Sequence, residues 1–293
     1  MKGAWSRWVD HCHRPVDVRP LALLRVLMAS CVVVDLLQIG RLGLVPHLYR
    51  PYEAGGMVSH QGIDWSMAAL LGDAAAGPAM YGVTVVSFLM IALGVATRPA
   101  MVVGLIAYAQ LGHCYPAGDR AVDRIVRTTI LILLFSGAHR RFALGCRDIA
   151  ATTAGWAQDL VKWLVVLIYL SAGVGKLGGD LGWYIPEPSA ALYRIMTDPL
   201  AAWLDPVWWE PYQWLFQIGS WATLAVELTA PLVFTRYAPH WAFFAMWIHI
   251  GIAFTMKLGM FSYAMLAFYP VLFAPWWLPA LDARKAARQQ VQK

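Results

Sequence analysis

Gly155-Trp-Ala-Gln-Asp-Leu-Val-Lys-Trp-Leu-Val-Val-Leu-Ile-Tyr-Leu-Ser-Ala-Gly-Val-Gly-Lys176 reads as one apolar helix, broken only by Asp159 and Lys162 near its start and closed by a lysine. A helix of about 20 such residues reaches across the hydrocarbon core of a bilayer. The stretch decides the fold because the rest of the 293-residue chain repeats its character. Hydrophobic residues make up 59% of the sequence and charged residues only 14%. Soluble globular chains lie near 45–50% apolar and about 25% charged. The mean hydropathy of +0.54 points the same way. These figures argue against a soluble enzyme with one large core, a disordered chain or a nucleic-acid-binding protein.

Outward from residues 155–176, similar runs predict eight spans in all. They lie near residues 18–39, 80–96, 99–111, 123–136, 155–176, 213–234, 240–257 and 260–275. The expected fold is therefore an all-α integral membrane protein of about eight transmembrane helices. Two longer connections interrupt it. Residues 42–77 include an amphipathic piece at 65–71, and residues 177–212 are rich in Trp, Pro and Tyr. Residues 1–17 are expected to be a cytoplasmic juxtamembrane segment, 18–275 the membrane domain and 276–293 a basic cytoplasmic tail. The mixed polar and aromatic start does not fit a cleavable signal peptide.

Charge sets the orientation. With the N-terminus inside, the inner segments hold fourteen basic residues, from Lys2, Arg7 and Arg14 to Arg284, Lys285, Arg288 and Lys293, against six outside. Basic residues favour the cytoplasmic side, so both termini are expected there. The connection at 177–212 then lies outside. Its Trp183, Trp203, Trp208 and Trp209 suit either an interfacial belt or a substrate-binding role.

The four cysteines, Cys12, Cys31, Cys114 and Cys146, form no C-x-x-C pair and fit no zinc spacing. No metal site is expected. The placement of the spans keeps the four apart, so no disulfide is expected among them. His11-Cys12-His13 reads as a polar juxtamembrane segment.

Ionisable residues within a span are costly and mark function by default. Arg25 and Asp35 share the first span, too far apart to pair with each other, so each is expected to meet another helix. Asp123 and Arg127 stand four apart and can pair. Glu227 sits mid-span without a base within a turn, so it needs a partner from another helix, with Arg25 the candidate. Pro231 frees the Glu227 carbonyl from its helical bond. Lys176 follows Ser171, Ala172, Gly173 and Gly175, a small-residue face that lets a helix or a flat ligand approach closely. Desolvation favours a neutral amine there, a base or nucleophile, while a lysine snorkelling from the span end explains the position equally well. His249 and Lys257 lie about two turns apart on one face. By this orientation Lys176 and Lys257 fall at the outer leaflet. A pocket there would admit lipophilic substrates such as quinones sideways from the lipid.

The string Tyr169-Leu-Ser-Ala-Gly-Val-Gly-Lys-Leu-Gly178 resembles the lysine motif of vitamin K-dependent gamma-carboxylase, which reads approximately Y-F-I-A-G-V-K-K-L-D. His249, followed after nine residues by Gly259-Met-Phe-Ser-Tyr-Ala-Met-Leu266, resembles its H-x(9)-G-M-F-S-Y-V-M-L segment. The wider group is the HTTM (horizontally transferred transmembrane) family of membrane proteins, and Arg25, Gly118-Asp119 and Glu227 suit its pattern. The resemblance covers residues 21–275. It implies an HTTM-type bundle in a bacterial inner (cell) membrane and a quinol or quinone of the vitamin K type as cofactor. It also implies Lys176 as the catalytic base, with His249 and Glu227 orienting groups or shuttling protons. Gly173, Gly175, Lys257 and Tyr263 are expected to bind the cofactor. The expected activity is quinol-linked modification, carboxylase- or lyase-like, of a small lipid-soluble or peptide substrate at the outer leaflet. A maturation factor for a secreted peptide, resembling those of a sporulation-delaying peptide toxin, is the alternative, followed by a transporter or structural partner. Two departures weigh against carboxylation itself: one lysine stands where the carboxylase has two, and Asp123 lies near the place of one of its histidines.

Overall fold

Arg19–Arg41 shows how a span forms here. Pro20 lies in the first turn, where its missing N–H costs nothing, and the Asp17 carboxylate accepts the Arg19 backbone N–H at 2.7 Å. One side of the helix, with Leu21, Leu24, Met28 and Val32, is fully buried. The other exposes Leu27, Val34 and Leu37. A helix apolar on both sides suits lipid rather than water. In this computed structural model the residues described are 3–57, 73–144, 151–179, 182–184, 191–203 and 210–291. The amphipathic piece at 65–71, Cys146, Arg147, Trp208, Trp209, Lys2 and Lys293 lie outside them.

The chain divides into two compact units, Met1–Ala157 and Gln158–Lys293. The first holds helices α1 (Ala4–His13), α2 (Arg19–Arg41), α3 (Val45–Tyr49), α4 (Asp73–Leu93), α5 (Thr97–Cys114) and α6 (Ala121–Phe135). α4 packs along α5 and α2. Gly104 of α5 leaves room for Ser87, Ile91 and Phe88, and the Tyr81 hydroxyl donates to the Leu36 carbonyl at 2.8 Å. The reversal between α4 and α5 uses Gly94 at φ +76°, a left-handed conformation that glycine adopts without strain. Strands β1 (Pro15–Asp17) and β2 (Thr152–Ala154) form a short antiparallel ribbon, with Val16 opposite Thr153. This small ribbon is the departure from an all-α chain. It forms where Arg14 and Val18, on either side of β1, meet the backbone at Gly155 and Ala151.

The second unit continues α7 (Trp156–Gly178) from Gln158, then α8 (Ala191–Met196), α9 (Gln213–Leu228), a 3-10 helix (Ala230–Phe234), α10 (Ala238–Thr255), α11 (Phe261–Leu266), α12 (Tyr269–Leu272) and α13 (Ala274–Val291). Met196, Ala202, Phe216 and Met256 form a small core among α8, α9 and the end of α10. The Trp241 indole N–H donates to the Val226 carbonyl at 2.9 Å and ties α10 to α9.

Among the described residues three helical stretches are long and apolar enough to cross a membrane: Arg19–Arg41, Ala76–Leu93 and Trp156–Gly178. A fourth is reached if Phe261–Leu272 and Ala274–Ala283, bent by 61°, count as one broken span. These helices suit a lipid bilayer. Among the described residues the other expected spans fall on helices that are shorter, bent or more polar. Asp123, Arg124 and Arg127 charge the start of α6, which is 15 residues long. Pro231 follows the end of α9 at Leu228, after 16 residues, and a 3-10 turn takes over. Pro270 lies in the four-residue α12, and Pro279 interrupts α13.

Several expected pairings are also corrected. Arg25, 0% exposed, donates to the Phe142 carbonyl at 2.5 Å and the Arg141 carbonyl at 3.2 Å. It holds the turn after α6, and Glu227 has another partner. Asp123 does not pair with Arg127. At the third residue of α6 its carboxylate turns back to accept the Arg120 backbone N–H at 2.7 Å, as a helix-capping acid does. Arg127 instead grips Asp119 in a fork at 2.8 and 2.9 Å. Asp35 pairs with Arg120 at 2.7 Å. Burial would raise the Asp119 carboxyl, but Arg127 and Arg124 outweigh it and hold the group below the ordinary aspartate value. Cys12, Cys31 and Cys114 carry free thiols.

Candidate functional site

Seven residues make about two helical turns, so Tyr169 and Lys176 point from α7 in the same direction, with Ala172 between them. Glu227 reaches the same region from the last turn of α9, and His249 from the middle of α10. Between these helices lies a cavity of about 520 Å³. Its walls are mostly apolar. Leu192, Ile195 and Met196 come from α8, Phe216 and Val226 from α9, Ile248 and Ile252 from α10, and Phe261 and Met265 from α11. Small residues keep it open, among them Ala172, Gly219 and Gly251.

The polar groups fall into two sets. Lys176 Nζ donates to Glu227 Oε1, and the ammonium lies 4.8 Å from the centre of the Trp183 ring. An indole face attracts a cation, and Trp183 is itself buried. The approach of α7 to α9 depends on Gly173, where a Cβ would stand 3.0 Å from Glu227 Cβ. In the second set, His249 Nε2 and the Tyr169 hydroxyl are 2.7 Å apart, and Tyr169 lies 3.2 Å from the Tyr269 hydroxyl. Trp241 and Phe261 pack against this chain through their rings.

Two polar atoms in the cavity have no hydrogen-bond partner among the described residues: Glu227 Oε2 and His249 Nδ1. The residues are 9% and 4% exposed. Leaving a buried polar atom unpaired costs about 1–3 kcal/mol, so such atoms mark places where a ligand or water would be held.

Lys176, Glu227 and His249 thus line one cavity. Gly173 shapes the helix contact behind it. Gly175 has open space around it, and the Tyr263 side chain is exposed. Lys257 lies just beyond the end of α10, where its ammonium donates to the Pro199 carbonyl at 2.7 Å and faces the Trp203 ring at 5.3 Å. None of Gly175, Lys257 and Tyr263 lines the cavity. Tyr169 and Tyr269 are additions that the sequence did not assign, while Trp183, for which it left open an interfacial or a substrate-binding role, lines the cavity. The two-turn spacing from Lys176 marks Tyr169; nothing local marks Tyr269, one hundred residues away in the chain.

No group of three or more His, Cys, Asp or Glu among the described residues is placed to hold a metal. No curated protein and no solved structure matches the chain. The sequence pattern of the HTTM domain matches residues 13–277, most of the chain, including the cavity. This protein belongs to the HTTM domain family of membrane proteins.

Proposed function

We propose that this protein is a multi-pass membrane enzyme whose cavity takes a lipid-soluble quinol and uses it to modify a small or peptide substrate. The observation that carries the reading is the Lys176–Glu227 pair, which lies in a cavity of about 520 Å³ otherwise lined by aliphatic and aromatic side chains. Ligand pockets of drug-sized molecules span about 300–1,000 Å³ and combine such walls with a few polar groups. The unpartnered Glu227 Oε2 and His249 Nδ1 suit a flat apolar ring bearing two oxygens. Bound there, a quinol supplies two electrons and two acidic hydroxyl protons.

The chain's own residues supply the proton handling. Glu227 Oε1 accepts from Lys176 Nζ and holds it at the cavity wall, where Lys176 acts as the base. Trp183 lies over the Lys176 nitrogen and limits the access of water. His249 Nδ1 exchanges a proton or a hydrogen bond with the second ligand oxygen, and the Tyr169 hydroxyl on Nε2 holds the imidazole in place. General acid–base groups of this kind contribute roughly 10²–10⁴-fold to a rate. The maturation of a secreted peptide remains the second reading, since the same cavity accepts an apolar peptide segment.

The deciding experiment is mass spectrometry of a solvent extract from the purified protein. A quinone in roughly stoichiometric amount, lost in Lys176→Ala, is the expected result. An extract without quinone, together with no binding of an added naphthoquinol, would overturn the reading. Lys176→Arg keeps the charge but cannot act as a base, so it should bind quinol and lack turnover.

The same proposal places the protein in a bacterial inner membrane with eight crossings and both termini in the cytoplasm. Reporter fusions after Lys293 and after Gly179 should then report opposite sides. The same side for both would remove the eight-span arrangement.

A further inference from the structure

Helix α1 has no buried residue, yet its apolar side chains share one side. Trp5, Trp8, Val9 and Cys12 recur at the spacing of a helical stripe, while Arg7, Asp10 and His11 turn to the opposite side. Trp5 and Trp8 are 74% and 56% exposed, with their ring centres 5.0 Å apart. Val9 and Cys12 are half-buried. An exposed apolar patch rimmed by polar residues marks a surface that meets a membrane or another protein.

The position of α1 says which of the two covers it. Residues 14–18 alone join α1 to α2, and five residues reach at most about 18 Å. α2 is one of the helices long and apolar enough to cross a membrane, and its 23 residues make about 35 Å of helix. Its first turn, at Arg19, therefore stands at the edge of a hydrocarbon core about 30 Å thick. The link is itself held in place. Residues 15–17 pair with 152–154, and the Gly155 backbone N–H donates to the Arg14 carbonyl at 2.9 Å. The turn that Arg25 holds lies toward the same end of α2, and Phe142 and Leu144 are exposed there as well. Exposed aromatic and aliphatic side chains thus gather where α2 enters the bilayer.

We propose that α1 lies in the plane of the membrane surface, with Trp5, Trp8, Val9 and Cys12 seated in lipid at the headgroup level and Arg7 turned to water. An indole suits that depth, since its ring is apolar and its N–H finds partners among the headgroups. A helix of this kind sinks its apolar side about 5–10 Å into the boundary between headgroups and acyl chains. Seated there, α1 sets the depth at which α2 starts. The inference needs α2 to cross the bilayer and is independent of the quinol reading.

The test places a nitroxide at Trp5→Cys, Trp8→Cys or Arg7→Cys, one at a time, in the full-length protein with its four native cysteines changed to serine, in phospholipid nanodiscs. Collisions with oxygen, which concentrates in lipid, should dominate at positions 5 and 8. Collisions with a water-soluble nickel chelate should dominate at position 7. Nickel dominating at all three would put the helix in water. An immobilised label at 5 or 8 that neither reagent reaches would put it against protein, a second copy included. Either result overturns the proposal. A second measurement keeps the native cysteines and compares the protein with its Trp5→Phe/Trp8→Phe variant. The emission lost in the variant should be the part that phospholipids brominated near the headgroup quench and aqueous acrylamide spares. The reverse pattern would equally overturn it.

Discussion

Arg25→Ala should lower the unfolding free energy by about 3–4 kcal/mol, from two carbonyls left without their donor at about 1–3 kcal/mol each. Arg25 is the largest fully buried side chain among the described residues. It meets the backbone of Arg141 and Phe142 from 116 and 117 residues away, and it lies 3.5 Å from the Thr97 hydroxyl. Phe142 adopts φ +50°, a conformation that a bulky residue keeps only when its surroundings hold it. The loss should therefore be visible locally as well as globally. Limited proteolysis is expected to cut near residues 138–144 in Arg25→Ala and not in the native protein. Arg25→Lys, which can reach one carbonyl but not fork between two, should fall between. Native stability and native protease resistance in Arg25→Ala would show that the turn is held by something else.

Removing one member of the Lys176–Glu227 pair is the other large expected effect. Breaking a buried ion pair from one side costs roughly 3–5 kcal/mol, because the remaining charge has no partner. Lys176 is 21% and Glu227 12% exposed at the side chain, so the low end of that range, about 3 kcal/mol, applies. Glu227→Gln and Lys176→Met should each show it in denaturant unfolding in detergent. The double variant should be much milder than the sum, since it leaves no orphan charge. Additive losses would mean that the two residues do not act as a pair. Glu227→Gln combined with Arg25→Met should by contrast be additive, because Arg25 is engaged by the Arg141 and Phe142 carbonyls.

These two cases also separate what is local from what is not. The depth of Glu227 in an apolar run, without a base within a turn, was enough to require a partner from elsewhere. It pointed to Arg25, yet Lys176 met the requirement of charge equally well and is the partner. The choice between them depends on which helices touch. Gly173 allows α7 to approach α9 closely, and that brings Lys176 to Glu227. Asp123 shows the opposite failure. A spacing of four suggested Arg127, yet position three of a helix is also where an acid caps the N-terminus, and the cap took the carboxylate.

Composition and run length are enough to require a helical membrane protein, since an apolar fraction of 59% with helix-length runs has few other solutions. The sequence also singled out Lys176, Glu227 and His249, because a polar group in an apolar span is costly wherever the span goes. The packing of the helices brings these three into one cavity, sets Tyr169 and Tyr269 behind the histidine, and turns Lys257 to Pro199 and Trp203. The physical reason is one of range. Burial cost and helix length are properties of neighbouring residues along the chain, whereas hydrogen bonds and ion pairs act over about 3 Å between residues that the sequence separates by tens of positions.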